Sequence, residues 1–494
     1  QAQAHLAVCP RFSCPSRMRS RRHARCRHDW RRRLACLPGL AACLPVASLL
    51  AASAVGRQGT RGAPAPRLAF VPAIPWPSAG GGPRPRLATG CTRGHRLPMR
   101  SSVRPAEEPE RSTEQNKQLF LASQFPLFIA VGALVPVLPL YGQEFGLSQS
   151  SVGLLVSSPS LAKLVLNLPF GRMADTVGRR TLMVSGILLC AVADIGTGLA
   201  TSLPLLVLMR LLLGAGLSAS DAGAAAWVAD ATGEDPETRA SFLGVQNAMI
   251  ALAFVLGPGV GGALVAQFGL RSIFFAVSGG ATLCALGYAA LPELRQASAP
   301  EGEEAPFQEL LSSRDQQALA GVSVAFYAGT ACKIALIPTV CKEAFGAGPA
   351  EVGQLFSAIA ALAIVGTLAG GRLTDAVGPK RTLAACGGVC GLSYFGAALA
   401  VQEHAREAFL ASLAVWALAA AVKSPALQAF AIATAPEDKR GAALSVPKTV
   451  GDLSYTVAPF LLGVLDDRLG PEVALACCAT TFLAGTAYFV WRAS

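Results

Sequence analysis

The chain has 494 residues, of which 52% are hydrophobic and 15% charged, against about 25% charged in an ordinary soluble domain. A soluble protein of this length needs a large polar surface, and too little polar material is present to cover one. The formal charge of +12 does not signal a nucleic-acid partner, because residues 1–105 hold nineteen Arg, no Lys and one acid, Asp29, making that segment +18 and the remainder −6.

Segment 1–115 is expected to be a targeting leader, largely disordered. A basic cluster from Arg19 to Arg33 precedes an apolar run from Leu34 to Val55, with Ala52 and Ala54 spaced like a cleavage site. Pro38 and Pro45 make that run a poor spanning helix. From Arg57 to Arg104 the chain is rich in Arg, Pro, Gly and Ala and has no acid, a transit-peptide composition. Together the two parts, with Phe70-Val71-Pro72 opening the second, resemble the bipartite leaders of algae with secondary plastids. That resemblance implies a plastid envelope location; translated non-coding sequence or a plain disordered tail is the alternative, with a plasma or internal membrane as the destination.

Twelve apolar blocks follow, each about the length a helix needs to cross the hydrocarbon core of a bilayer. They run roughly over 118–140, 150–170, 181–200, 204–228, 241–266 and 271–291, then 317–340, 351–371, 381–401, 407–431, 441–465 and 471–491. The fold expected is an all-α membrane protein with twelve transmembrane helices in two pseudo-symmetric six-helix bundles, 116–291 and 317–494, joined by a polar central loop, 292–316. Charge in the loops supports that count. Fourteen Lys or Arg fall on the side holding both ends of the body and four on the other, the bias that normally marks the cytoplasmic or stromal face.

The halves carry the same marks. Gly171-Arg172-Met173-Ala174-Asp175-Thr176-Val177-Gly178-Arg179-Arg180 recurs 200 residues later as Gly371-Arg372-Leu373-Thr374-Asp375-Ala376-Val377-Gly378-Pro379-Lys380. Pro236-Glu237-Thr238-Arg239 recurs as Pro436-Glu437-Asp438-Lys439-Arg440, and Pro258 has a counterpart in Pro459. Parallel repeats of six spans are one architecture of secondary transporters.

These loops resemble the signature of the major facilitator superfamily, and the resemblance covers 118–492. It implies that Gly171, Asp175, Gly178, Arg179 and Arg180, with Asp230 and Arg239 nearby and Gly371, Asp375 and Gly378 in the second copy, form a gating loop that latches alternating states. Thr176 and Pro379 stand where the family usually has basic residues, so the second latch is expected to be the weaker. Gly257-Pro258-Gly259-Val260-Gly261-Gly262, with Gly244 thirteen residues earlier, resembles the antiporter motif of the drug:proton branch, with Ala253 replacing one Gly. Such a span is expected to be kinked and closely packed. Arg210-Leu211-Leu212-Leu213-Gly214-Ala215-Gly216 resembles the motif linked to proton transfer.

A charge at the bilayer centre costs about 2.5–3.5 kcal/mol on insertion scales, so intramembrane charges are candidates for function. They are Lys163, Arg210, Asp221, Lys333, Lys423, Lys448 and Asp452. Lys448 and Asp452 are spaced i,i+4 and are expected to pair; Asp194 is expected near a span end, where solvation would explain it. The resemblance places spans one, four, seven and ten around a central cavity. Arg210 and Asp221 would line it from span four, Lys333 from span seven and Lys423 from span ten, while span one carries no acid. A net positive cavity points to an anionic substrate, with Lys333 and Lys423 as counter-charges and Asp221 either titrating or holding a Lys. A Lys–Asp lock between spans is the plain structural alternative.

The expected function is secondary active transport of a small organic solute by alternating access, through proton-coupled antiport. An uncoupled facilitator and a non-transporting sensor remain as alternatives. The expected partners are the solute, protons and the lipid bilayer, with no nucleic acid and no cofactor, and the protein is expected to work as a monomer. Enzyme activity is not expected: His404 is the one His after the leader, no metal-ligand spacing occurs, and no phosphate-binding Gly-rich loop appears.

Overall fold

A computed structural model describes residues 113–233, 235–294, 313–435 and 440–493. The expected leader, apart from 113–115, lies outside the described residues, as do most of the central loop and the second Pro-Glu turn at 436–439. The described residues form thirteen helices: α1 (Thr113–Glu144), α2 (Gln149–Val177), α3 (Arg179–Leu199), α4 (Leu203–Thr232), α5 (Pro236–Phe268), α6 (Ser272–Ala289), α7 (Arg314–Ala335), α8 (Ile337–Phe345), α9 (Pro349–Val377), α10 (Pro379–Gln402), α11 (Arg406–Thr434), α12 (Arg440–Leu469) and α13 (Pro471–Arg492).

Eleven of them are long and apolar enough to cross a membrane. The twelfth span is α12, whose 30 residues include Lys448, Asp452, Asp466 and Asp467 and are correspondingly less apolar. Span seven departs from the expected single helix. It breaks at Leu336 into α7 and α8, with Pro338 in the first turn of α8, where its missing N–H costs nothing. Span one is longer than expected, because α1 already starts at Thr113 and ends at Glu144.

Helix boundaries follow the punctuation of the sequence. Gly178 and Gly378 have φ of 106° and 92°, a region L side chains rarely adopt, so each repeated loop turns within a single residue from α2 into α3 and from α9 into α10. Proline opens α5, α9, α10 and α13, where its missing N–H costs nothing.

Packing repeats as the motifs do. In the first half α1 packs on α5 and α6, α3 on α4 and α6, and α2 on α4; in the second, α7 packs on α12 and α13, α10 on α11 and α13, and α9 on α11. Two helix pairs, α2 with α12 and α5 with α9, form the main contact between the halves. Each half has its own aromatic core. Phe120 stacks on Trp227 at 5.0 Å between centroids and on Tyr288 at 5.5 Å, while Tyr394 packs on Trp416 and Phe482.

Candidate functional site

The halves meet tightly at the face opposite the basic loops. A Cβ added at Gly463 of α12 would lie 2.8 Å from Ser150 Cα of α2, and one at Gly262 of α5 would lie 2.8 Å from the Pro349 carbonyl of α9. Hydrogen bonds between the halves lie at this same end. The first two N–H groups of α2, from Gln149 and Ser150, donate to the Asp467 carboxylate at 2.8 and 2.9 Å, a carboxylate at a helix N-terminus. Gln143 donates to Glu343 at 2.5 Å, and Gly259 N–H donates to Ser357 Oγ at 2.9 Å. Toward the basic face, a Cβ at Gly171, Gly244 or Gly371 would meet nothing within 4 Å. The close approaches and hydrogen bonds between the halves named here thus lie toward the face opposite the basic loops.

The repeated loop is held inside its own half. Arg179 pairs with Asp230 at the end of α4, and both side chains are nearly buried. Glu293, just past α6, accepts from the Arg179 and Arg180 backbone N–H groups at 2.7 and 3.3 Å. Arg180 Nη1 donates to the Leu291 carbonyl at 3.2 Å, and Arg239 binds the Ala229 carbonyl near the end of α4. In the second half Lys380 donates to the Ala493 carbonyl at 2.6 Å, and Ala493 itself stands 200 residues after Glu293, where the first half has its carboxylate. Asp235 caps α5, and its hydrogen bond from the Thr238 hydroxyl, with those from the Thr238 and Glu237 N–H groups, holds its carboxyl below the usual range. The side chain of Asp175 lies outside the described residues.

Gly257 and Gly261 meet α1 and Gly262 meets α9, whose Gly353 lies against the Pro258 carbonyl. Gly244 makes no such contact, so the packed part of the motif is its Pro-containing end.

The structure sorts the intramembrane charges into three groups. Arg210 faces α3, where Nη1 lies 3.7 Å from Asp194 Oδ1. That corrects the expectation for Asp194: it does lie near the end of α3, but at 1% exposure it is buried, so a buried partner explains it and solvation does not. Lys163 of α2 donates to Asp221 of α4 at 2.7 Å, so Asp221 holds this Lys and not Lys333 or Lys423. Asp221 remains 61% exposed, and Asp452 of α12 also acts on Lys163 through its charge. Lys448 and Asp452 do not reach ion-pair distance among the described residues. Here the local i,i+4 spacing does not bring the two together, and Lys163 of α2 is a further charge acting on Asp452.

Lys333 and Lys423 form the third group. Lys333 Nζ lies 5.9 Å from the ring centroids of both Phe356 and Trp416. Lys423 Nζ lies 4.9 Å from that of Tyr327 and 5.3 Å from that of Phe326. Neither has a carboxylate at ion-pair distance among the described residues. The aromatic surroundings were not anticipated from the sequence, because these rings come from α7, α9 and α11 and no spacing along the chain links them.

A sequence profile of the Major Facilitator Superfamily matches residues 120–459. The chain belongs to the major facilitator superfamily. It is thus a multi-pass membrane transporter and not an enzyme. It is 26% identical over 374 residues to Multidrug resistance protein 2 of Bacillus subtilis (strain 168), covering 72% of this chain and 91% of that one. To the Quinolone resistance protein NorA of Staphylococcus aureus (strain MRSA252) it is 31% identical over 163 residues, 32% of this chain and 41% of the other. Among solved structures, a bacterial homolog of the human lysosomal transporter Spinster, inward-facing and unoccupied, aligns with a TM-score of 0.61 at 17% identity, over 77% of this chain and 95% of that one. That likeness supports the twelve-span fold.

Proposed function

We propose that the protein is a secondary active transporter that moves a small organic anion by alternating access, in exchange for protons, and that it works as a monomer. The observation that carries the anionic reading is the pair Lys333 and Lys423, placed in spans seven and ten beside aromatic rings with no carboxylate at ion-pair distance. A cation–π contact is worth about 0.5–2 kcal/mol, less than the roughly 2.5–3.5 kcal/mol cost of a central charge. A substrate carboxylate is the natural remaining partner. The relatives named for drug resistance favour the exporter branch, but α1 offers no carboxylate over 120–140 to face a cationic drug.

Proton coupling is assigned to Lys163, Asp221 and Asp452. Lys163 and Asp221 belong to the first half and Asp452 to the second, across the α2–α12 contact that must rock. A proton on Asp221 would release Lys163 toward Asp452 and so bias one state over the other. The basic face is taken as cytoplasmic or stromal, and the described state as inward-facing. Segment 1–115 is taken as a plastid-targeting leader ahead of the two bundles.

The test is transport by Lys333→Ala and Lys423→Ala. Each variant is expected to weaken affinity for an anionic substrate roughly tenfold or more, the scale of a charged hydrogen bond. Unchanged affinity in both would sink the anionic reading.

A further inference from the structure

Resting on that anionic reading, we propose that the substrate is an aromatic monocarboxylate, its carboxylate shared by Lys333 and Lys423 and its ring against Tyr327 and Tyr455. The wall is built for a ring. Tyr327 of α7 and Tyr455 of α12 are both half-buried and meet edge to face, with centroids 5.8 Å apart and planes at 71°. Tyr327 is seated on the backbone of α12 at Gly451, where a Cβ would lie 2.8 Å from its ring. In the register that pairs Pro258 with Pro459, the counterpart of Gly451 is Ile250, so this seat belongs to the second half alone. Lys423 sits over the same Tyr327 ring. One surface thus presents ring edges and faces together with an ammonium, and a further aromatic ring can extend the edge-to-face array in a way a saturated ring cannot.

Charge fixes the number of carboxylates. Lys423 feels the charge of Lys333, and a carboxylate bound by both relieves that repulsion with one oxygen for each. Beside Lys333, the Trp416 indole N–H is buried with no acceptor among the described residues. Beyond the ring wall stands Asp452, one turn from Tyr455 along α12. Lys163, Lys333 and Lys423 stand against Asp221 and Asp452 in the count of charges, leaving one positive charge unbalanced, and Lys448 is exposed a turn nearer the basic face. A second carboxylate at the far end of the substrate would meet Asp452. The site therefore takes one negative charge and an aromatic body.

The test measures binding to the full purified chain in lipid nanodiscs with four probes of similar shape: phenylacetate, cyclohexylacetate, phenylacetamide and 2-phenylethylamine. Phenylacetate is expected to bind several-fold more tightly than cyclohexylacetate and at least about tenfold more tightly than phenylacetamide. Tyr327→Leu is expected to weaken phenylacetate binding several-fold more than cyclohexylacetate binding, so that the preference between the two carboxylates is lost. Equal binding of the two carboxylates to the unaltered chain overturns the aromatic class and leaves the anionic reading standing. Binding of 2-phenylethylamine in preference to both carboxylates overturns the two together. Binding of none of the four overturns the aromatic monocarboxylate, and the transport test of Lys333 and Lys423 then judges the anionic reading separately.

Discussion

Two carboxylates hold the loop between α2 and α3, and they differ in what their loss would cost. Asp230 pairs with Arg179, and the two side chains are 8% and 11% exposed. Removing one member of such a pair strands the other charge, at about 3–5 kcal/mol. Glu293 is exposed and binds backbone N–H groups at the start of α3, a capping role worth about 0.5–2 kcal/mol. Asp230→Ala should therefore lower the melting temperature of the detergent-purified protein clearly more than Glu293→Ala does, and the reverse order would contradict the assigned roles. The first of these partners was legible in part, because the family resemblance set Asp230 beside the repeated loop without saying which residue it pairs with. Glu293 was not, since 114 residues separate it from Arg179 and no local pattern connects them. The same limit hid the Lys163–Asp221 bond. Where only local spacing was available, as for Lys448 and Asp452, it suggested a pair that neighbours on other helices displaced.

At the scale of elements, α5 shows how one glycine-rich motif divides its work. Gly257 lies against the α1 backbone, where a Cβ would come within 2.9 Å of Ala133 N, whereas the space beside Gly244 is open. Gly257→Val should force α1 and α5 apart and destabilise the protein by about 1–3 kcal/mol or more. Gly244→Ala should be neutral or stabilising by up to about 1 kcal/mol, since alanine is the better helix former and meets no neighbour. Chemical unfolding of the two variants separates them, and equal losses would show that the motif packs along its whole length. Close packing of this span was expected from its small residues and Pro258. Which glycines carry it was not, because the partner face of α1 is set by how the helices cross. The break of span seven has a similar lesson: Pro338 was visible in the chain, yet α1 keeps Pro126, Pro136 and Pro139 inside one continuous helix, so proline alone did not decide the outcome.

Over the whole molecule, the two halves share a scaffold but not its fastenings. Asp467 of α12 caps α2, while the equivalent start of α9 is Pro349, which has no N–H to offer, and the residue opposite is Ala266. The α2–α12 rim is thus fastened by charge and the α5–α9 rim by close packing and the Ser357 hydroxyl. Intramembrane charge is equally lopsided, with the unpaired lysines in the second half and the Lys163–Asp221 bond in the first. On the function proposed above, a proton acts on one half while the solute occupies the other. Exchange of an anion for protons is tested most directly by uptake of labelled phenylacetate into proteoliposomes holding the full chain. An acidic interior should drive accumulation above the external concentration, abolished in Asp221→Asn vesicles. Passive entry of the neutral acid cannot mimic that result, because it concentrates a weak acid on the alkaline side. Equal plateaus with and without the gradient, or accumulation only in alkaline vesicles, would contradict proton exchange.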